Sequence, residues 1–328
     1  MAITAQQVND LRKKTGAGLM DCKKALVASE GDFDGAIDFL RKKGQKIAES
    51  RSGRDASEGA VIAITSEDGK TGVIVHLSCE TDFVSQNAEF VAFARAIANI
   101  ALAGKYPTVE ALLAADMNGE TVETRITEKI GTIGENLTIP NYVFMEGEHL
   151  VSYIHAGNKI GVIVSVNGTK PENFDNDQAF FKGVAMHTAA MSPKILSYKE
   201  FDAEFIRKET EAFAEQIRVE NEERARLGKH LKNVPEFVSK SQLTPEVMKQ
   251  VEANLKAELI AEGKPEAILD RIVPGKIERF VADNTLLDQQ FCLLDQFYAL
   301  DDSKTVGQAI EEFNKDLSIA TFKRVTLG

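Results

Sequence analysis

Cys79-Glu80-Thr81-Asp82-Phe83-Val84-Ser85 marks a change of period in the chain. Upstream, Val73, Val75, Leu77 and Cys79 alternate with Ile74, His76 and Ser78, the period-2 pattern of a strand with one face buried. Downstream, Phe90, Phe93, Ala94, Ile97 and Ile100 recur at helical spacing as far as Gly104, a C-terminal stop. An acidic side chain beside a large aromatic one therefore sits on a loop between two regular elements. Two readings of that pair stand open. In one, rigid elements present Asp82 and Phe83 outward as a probe. In the other, Asp82 satisfies local backbone donors and Phe83 tucks under the helix.

Before this stretch, Val61 to Thr65 and Val73 to Cys79 flank Glu67-Asp68-Gly69-Lys70, a hairpin turn. Gly69-Lys70-Thr71 does not belong to a phosphate loop, because the first glycine of that motif would fall at Ile64. After it, a second helical region spans Val109 to Ile130. Gly72-Val73-Ile74-Val75 then recurs as Gly161-Val162-Ile163-Val164, again after a strand and a tight turn, here Gly157-Asn158. The second copy leads into an apolar helix holding Phe180, Phe181, Val184, Ala185, Met186 and Ala189. Two hairpin-plus-helix units predict a duplicated α+β core, each copy an antiparallel sheet covered on one face.

Toward the N-terminus the spacing predicts three short helices. Thr4 caps the first, which bears Val8 and Leu11; Thr15-Gly16-Ala17-Gly18 leads to the second, with Leu19, Met20, Cys22, Ala25 and Leu26. Gly31-Asp32-Phe33 opens a third, with Ala36, Ile37 and Leu40, that stops near Gly44. So small a core suits a docking module better than an active site. The basic, small and polar run from Lys42 to Ser57 reads as a linker.

Toward the C-terminus, Phe201 to Leu231 is rich in Glu, Lys, Arg and Ala, with Phe205, Ile206, Phe213, Ile217 and Leu227 at helical intervals. It predicts a long helix or coiled-coil arm, ended by Pro235. Thr244-Pro245-Glu246 opens another helix with N-cap and N1 chemistry, and Gly263-Lys264-Pro265 stops it. Such paired helices make protein contacts or a homodimer seam, with a solvated spacer as the other reading. Thr305 to Leu317 forms a last amphipathic helix. The resulting partition is a docking module and linker at 1–54, a first core subdomain at 55–146, and a second at 147–197 and 266–300. The arm at 198–265 is inserted in the second, and 301–328 is a C-terminal helical module.

Composition narrows the function. The 328 residues suggest two or three compact units, and an apolar fraction of 43% with 27% charged residues provides for real cores. A net charge of −11 argues against a general nucleic-acid coat, which needs clustered Lys and Arg. Residues 1–54 carry eleven Lys/Arg against seven Asp/Glu, a balance of +4 that leaves −15 for the remainder. Cys22, Cys79 and Cys292 are scattered and in no CxxC arrangement, as small apolar side chains in a reducing compartment would be. The N-terminus lacks the apolar region of a signal peptide. The most apolar stretch, Phe90 to Ala103, is interrupted by Arg95 and Asn99, so no membrane span is expected. The expected location is cytoplasmic. The five histidines have no Ser, Cys or carboxylate partner at catalytic spacing: His155 reads as a strand-end surface residue, His187 as a core histidine. Met20 and Met186 read as packing. An interaction protein is favoured over an enzyme, with no catalytic residue, metal site or cofactor expected.

Thr15-Gly16-Ala17-Gly18-Leu19-Met20-Asp21-Cys22-Lys23-Lys24-Ala25-Leu26 resembles the N-terminal signature of the bacterial elongation factor Ts family, and Thr81-Asp82-Phe83-Val84 its second signature. Lys129-Ile130-Gly131-Thr132-Ile133-Gly134-Glu135-Asn136 is similar to the family's Lys-Ile-Gly-Glu-Asn element with three residues extra. Ala185-Met186-His187, Ser192-Pro193 and Ser303-Lys304-Thr305-Val306-Gly307 resemble later family segments. The resemblance implies an α+β fold: an N-terminal three-helix (UBA-like) module, a duplicated antiparallel-sheet-plus-helix core, a helical coiled-coil arm and a C-terminal helix. It implies a guanine-nucleotide exchange factor for elongation factor Tu, met in its GDP-bound and nucleotide-free states, without nucleic acid, membrane or cofactor. By the same resemblance Asp82 and Phe83, completed by Thr81 and Val84, enter the GTPase and dislodge its magnesium. Arg12, Met20, Lys23 and His155 match contact positions, and Leu19 occupies another where a family member has Met. The segment from Tyr198 to Leu243 makes the arm longer than in shorter family members, and Leu293 to Tyr298 departs from the usual Pro-Phe there. The alternative is an adaptor whose first helices bind ubiquitin-like or other helical partners, without exchange activity.

Overall fold

The computed structural model describes residues 3–327. The chain divides into two compact units, one built from Met1–Ala189 and Ser318–Gly328, the other from Ala190–Leu317.

The first unit begins with α1 (Ala5–Thr15), α2 (Leu19–Ala28) and α3 (Phe33–Arg51). Thr4 and Gln7 close a capping box on α1, and Gly16 ends it in the left-handed conformation. Val8, Leu11, Cys22, Ala25, Leu26 and Ala36 make one small core. The expected stop at Gly44 is wrong: α3 runs on to Arg51, so the first ten residues of the expected linker are helical. Gly44 is buried in mid-helix, where it lies against Thr127 O and Gly131 Cα. A glycine that reads as a breaker instead removes a side chain from a helix crossing.

Next come β1 (Glu58–Thr65) and β2 (Thr71–Cys79), then the single turn α4 (Asp82–Ser85), and α5 (Ala88–Gly104). The second helical region is two helices, α6 (Val109–Leu113) and α7 (Val122–Ile133), separated by a turn held by the Asp116–Thr121 bridge. β3 (Thr138–Glu146) pairs antiparallel with β2, giving the sheet order β1-β2-β3. Val73, Val75, Leu77 and Cys79 bury against Phe90, Ala94 and Ile97 of α5 and Ile126 and Ile130 of α7. The expectation of one buried face fails here, because every residue of β2 is buried. Its second face meets another sheet.

That sheet starts with β4 (His149–His155) and β5 (Ile160–Asn167), followed by α8 (Phe174–Met191). Phe181, Val184, Ala185 and His187 of α8 are fully buried, as the sequence predicts for the last of these.

The second unit contains α9 (Ala203–Arg226), α10 (Pro245–Ala261), α11 (Glu266–Asp283) and α12 (Leu286–Phe291). The base of α9 is not solvated: Ile206 packs with Val238 and Leu287 among Phe201, Phe205, Phe213 and Phe291. Toward its far end Val219 and Leu227 are exposed. Thr244 caps α10 and Gly263 turns the chain at φ +78°, so that Leu259 of α10 packs on Leu269 and Val273 of α11. A short ribbon, β6 (Phe297–Tyr298) with β7 (Asp301–Thr305), precedes α13 (Val306–Asn314). No described helix is long and apolar enough to cross a membrane.

Asp288 gives this unit a pH signature. It is fully buried, its Oδ2 accepts the Lys240 N–H at 2.6 Å, and its Oδ1 has no hydrogen-bond partner. Burial pushes its carboxyl up to about 6, against bonds from Lys240 and Ser239 that favour the anion. The folded state therefore holds a proton that the unfolded chain releases near its ordinary 3.8. The contribution of this carboxyl to stability falls as pH rises from about 4 to about 6 and is level above that. Asp288→Asn is expected to remove this slope, by an amount on the order of 2–3 kcal/mol across the window. Denaturant midpoints of both proteins at steps between those pH values check it.

The chain then returns to the first unit as β8 (Ser318–Thr326), which pairs antiparallel with β5 and completes the order β4-β5-β8. The expected C-terminal helical module is thus corrected: α13 is followed by a strand that closes the second sheet. Both Gly-Val-Ile-Val segments lie on the central strand of a three-stranded antiparallel sheet. The two sheets meet through Val61, Ala63, Ile74, Leu150, Ile163 and Val325. A Cβ on Gly72 would approach Ile163 Cδ1 at 3.0 Å, and one on Gly161 would approach Ile74 Cγ2 at 3.1 Å. Each repeated glycine therefore makes room for the isoleucine of the other copy.

Candidate functional site

The strand-to-helix junction is built from below. Val84 packs against the core under β2, and the buried Cys79 thiol donates to Thr81 O at 3.3 Å. Burial, with the charges of Glu135 and Glu58, pushes that thiol up to about 12, so it stays protonated and a donor. Thr81 has the extended backbone of an N-cap, but its hydroxyl makes no capping bond to α4. Above these anchors the chain projects Asp82 and Phe83. Phe83 is 86% exposed, the most exposed large apolar side chain described. The tucked-under reading of Phe83 is therefore excluded. Asp82 is exposed and makes no side-chain bond to α4's backbone donors.

Two glutamates tie this junction to the end of α7. Glu135 Oε2 accepts the N–H groups of Glu80 and Thr81 at 3.0 and 3.1 Å, and its Oε1 accepts the Thr81 hydroxyl at 2.6 Å. In return Glu80 Oε1 accepts the Asn136 N–H at 2.7 Å. Glu80 Oε2 pairs with Arg54 at 3.3 Å, and Asn136 Nδ2 donates to Arg54 O at 2.9 Å. The sequence singles out Lys129 to Asn136 but gives it no role. Its second glycine supplies the physical signal: Gly134 ends α7 at φ +83° and turns Glu135 and Asn136 back toward residue 80.

The other predicted residues fall in two places. Arg12, Leu19, Met20 and Lys23 are all exposed on the three-helix module. Met20 is 61% exposed, so reading it as packing is wrong; the second helix buries Cys22, Ala25 and Leu26 instead. Leu19, Met20 and Lys23 line a groove of about 390 Å³ with Ile3, Thr4 and Val8, while Arg12 lies outside it. His155 ends β4, half-buried, with Tyr153 Oη 3.1 Å from its Nδ1, beside a turn in which Ala156, Gly157 and Asn158 all have positive φ. None of these residues joins the Thr81–Val84 junction in a common hydrogen-bond network. All three cysteines are buried and free, as expected of apolar thiols.

A family model described as Elongation factor TS matches residues 80–232 and 231–328. The chain is 53% identical to an elongation factor Ts of Rhodopirellula baltica, over 99% of both chains. It is 49% identical to one from Flavobacterium johnsoniae, again over 99% of each. A Helicobacter pylori elongation factor Ts is 40% identical, over 99% of this chain and 94% of its own. Alignments of this extent span the arm from Tyr198 to Leu243.

Proposed function

The chain belongs to the elongation factor Ts family, and from that premise we propose that it is a guanine-nucleotide exchange factor for the translational GTPase elongation factor Tu. One observation carries the reading: a phenylalanine 86% exposed on a turn whose base is anchored through Glu80, Thr81 and Val84. A lone aromatic ring in water contributes nothing to the free chain. In a partner's crevice it becomes the kind of buried anchor that dominates interface energetics. Asp82 and Phe83 form the wedge, with Thr81 and Val84 as its base. They enter the GTPase and displace the segments that hold its magnesium and phosphates. Leu19, Met20 and Lys23 supply a second contact through their groove, with Arg12 and His155 as further contacts.

The exchange follows from linkage alone. Binding energy spent on opening the nucleotide site weakens GDP, and GDP weakens the factor by the same ratio. Each tenfold change in GDP affinity requires about 1.4 kcal/mol of that coupling. No bond is made or broken. An adaptor that used only the N-terminal helices would leave Phe83 without a task. Release of fluorescent GDP from elongation factor Tu tests the proposal. The rate is expected to rise with factor concentration and then saturate; a rate that stays at its intrinsic value throughout would refute it.

A further inference from the structure

We infer that Glu135 is a positioning residue: its carboxylate, in a reciprocal clasp with Glu80, fixes the angle at which Asp82 and Phe83 leave the fold. The inference rests on the exchange-factor reading for its consequence, but not for its geometry.

A single turn of four residues cannot hold itself in water, since nucleating a helix is unfavourable and only longer helices recover that loss. The usual remedy, a side-chain cap, is absent, because the Thr81 hydroxyl is turned away to Glu135. The Glu135 carboxylate replaces the cap with three bonds to the two residues just before the turn. Bonds to an ionised acceptor are roughly twice as strong as neutral ones. Glu80 answers by holding the backbone of Asn136, so the side chain of each segment fixes the backbone of the other. The arrangement resembles a capping box closed between two loops 55 residues apart.

The clasp is itself held. Glu135 follows α7, and α7 is crossed by α3 where a Cβ on Gly131 would fall 2.8 Å from Gly44 Cα. Arg41 of α3 donates to both Glu120 and Glu128, across the same contact. Just beyond α3, Arg54 reaches Glu80 with its guanidinium and Asn136 with its carbonyl. The wedge therefore stands on a frame of two crossed helices rather than on a free loop. Its value is preorganisation: a ring already held in its bound direction does not have to be ordered on contact.

The chain has no tryptophan, so Phe83→Trp places a single indole at the tip, excited at wavelengths where the five tyrosines do not absorb. In that background Glu135→Ala is expected to lower the anisotropy of the indole reporter, with Glu135→Gln intermediate because it keeps one acceptor oxygen. In the Phe83 background Glu135→Ala is expected to slow GDP release about tenfold at saturating factor, again with Glu135→Gln between it and wild type. A merely structural role would lower the unfolding midpoint and leave the saturated rate of the folded fraction unchanged. Unaltered anisotropy in both variants would overturn the clasp. Lower anisotropy with an unaltered saturated rate would overturn its positioning role. Should Glu135→Ala fail to fold, the Glu135→Gln comparison decides by the same two readouts. If wild-type factor fails to accelerate release at all, the exchange reading falls, while the anisotropy still judges the clasp.

Discussion

Phe83→Ala is expected to slow factor-stimulated GDP release about thirtyfold, the equivalent of about 2 kcal/mol for truncating an aromatic anchor. The thermal midpoint of the free chain should stay within about 1–2 °C of wild type, because exposed substitutions away from packing change stability by less than about 0.5 kcal/mol. Both halves of this result follow from one fact, that the ring is 86% exposed and packs in no core of its own chain. Stopped-flow release at saturating factor, with a melting curve on the same preparation, reads both. A variant that releases GDP as fast as wild type would remove the ring from the mechanism. One that melts much earlier would show that the ring supports the fold.

Gly161→Val is expected to have the opposite profile, a large loss of stability with no direct effect on the Asp82-Phe83 turn. A Cβ at this position would lie 2.7 Å from Val61 Cγ1, 3.1 Å from Ile74 Cγ2 and 3.2 Å from Ala63 Cβ. All three belong to the facing sheet, and none is a long side chain whose end can swing aside. Valine adds two methyl groups beyond that Cβ. Overpacking of this kind costs about 3 kcal/mol, which lowers the midpoint by roughly 6–12 °C in a unit of this size. Gly161→Ala should cost less, and adding Val61→Ala to it should restore part of the loss, giving a coupling that a double-mutant cycle measures. Additive effects of the two substitutions would mean that the sheets do not press on each other at this point.

Much of this architecture is legible in the chain. The period change around residue 80 locates the exposed Asp82-Phe83 turn, the Asp68-Gly69 turn locates the hairpin, and the repeated Gly-Val-Ile-Val segment marks the centres of both sheets. The errors share a cause, in that a local pattern cannot say what lies on the far side of an element. Gly44 looks like a helix stop, yet in α3 it is the absence of a side chain that lets α7 approach. His76 and Ser78 look like the solvent face of β2, yet both are buried, and Ser78 bonds to Thr138 on β3. Residues 318–326 pair with a strand more than 150 positions earlier, which no window of sequence can contain. The site divides in the same way. Thr81–Val84 can be read from its own letters, whereas Glu135 acquires a role only when folding brings it to Thr81.

Exchange of this kind requires binding that opposes GDP, and the affinity of the factor for two states of the same GTPase measures that most directly. Calorimetric titration of elongation factor Tu, once nucleotide-free and once held in excess GDP, gives the two dissociation constants. They should differ by the ratio in which saturating factor weakens GDP, as reciprocity requires. Equal affinity for the two states would rule out exchange by this route, because a factor indifferent to GDP cannot drive it out.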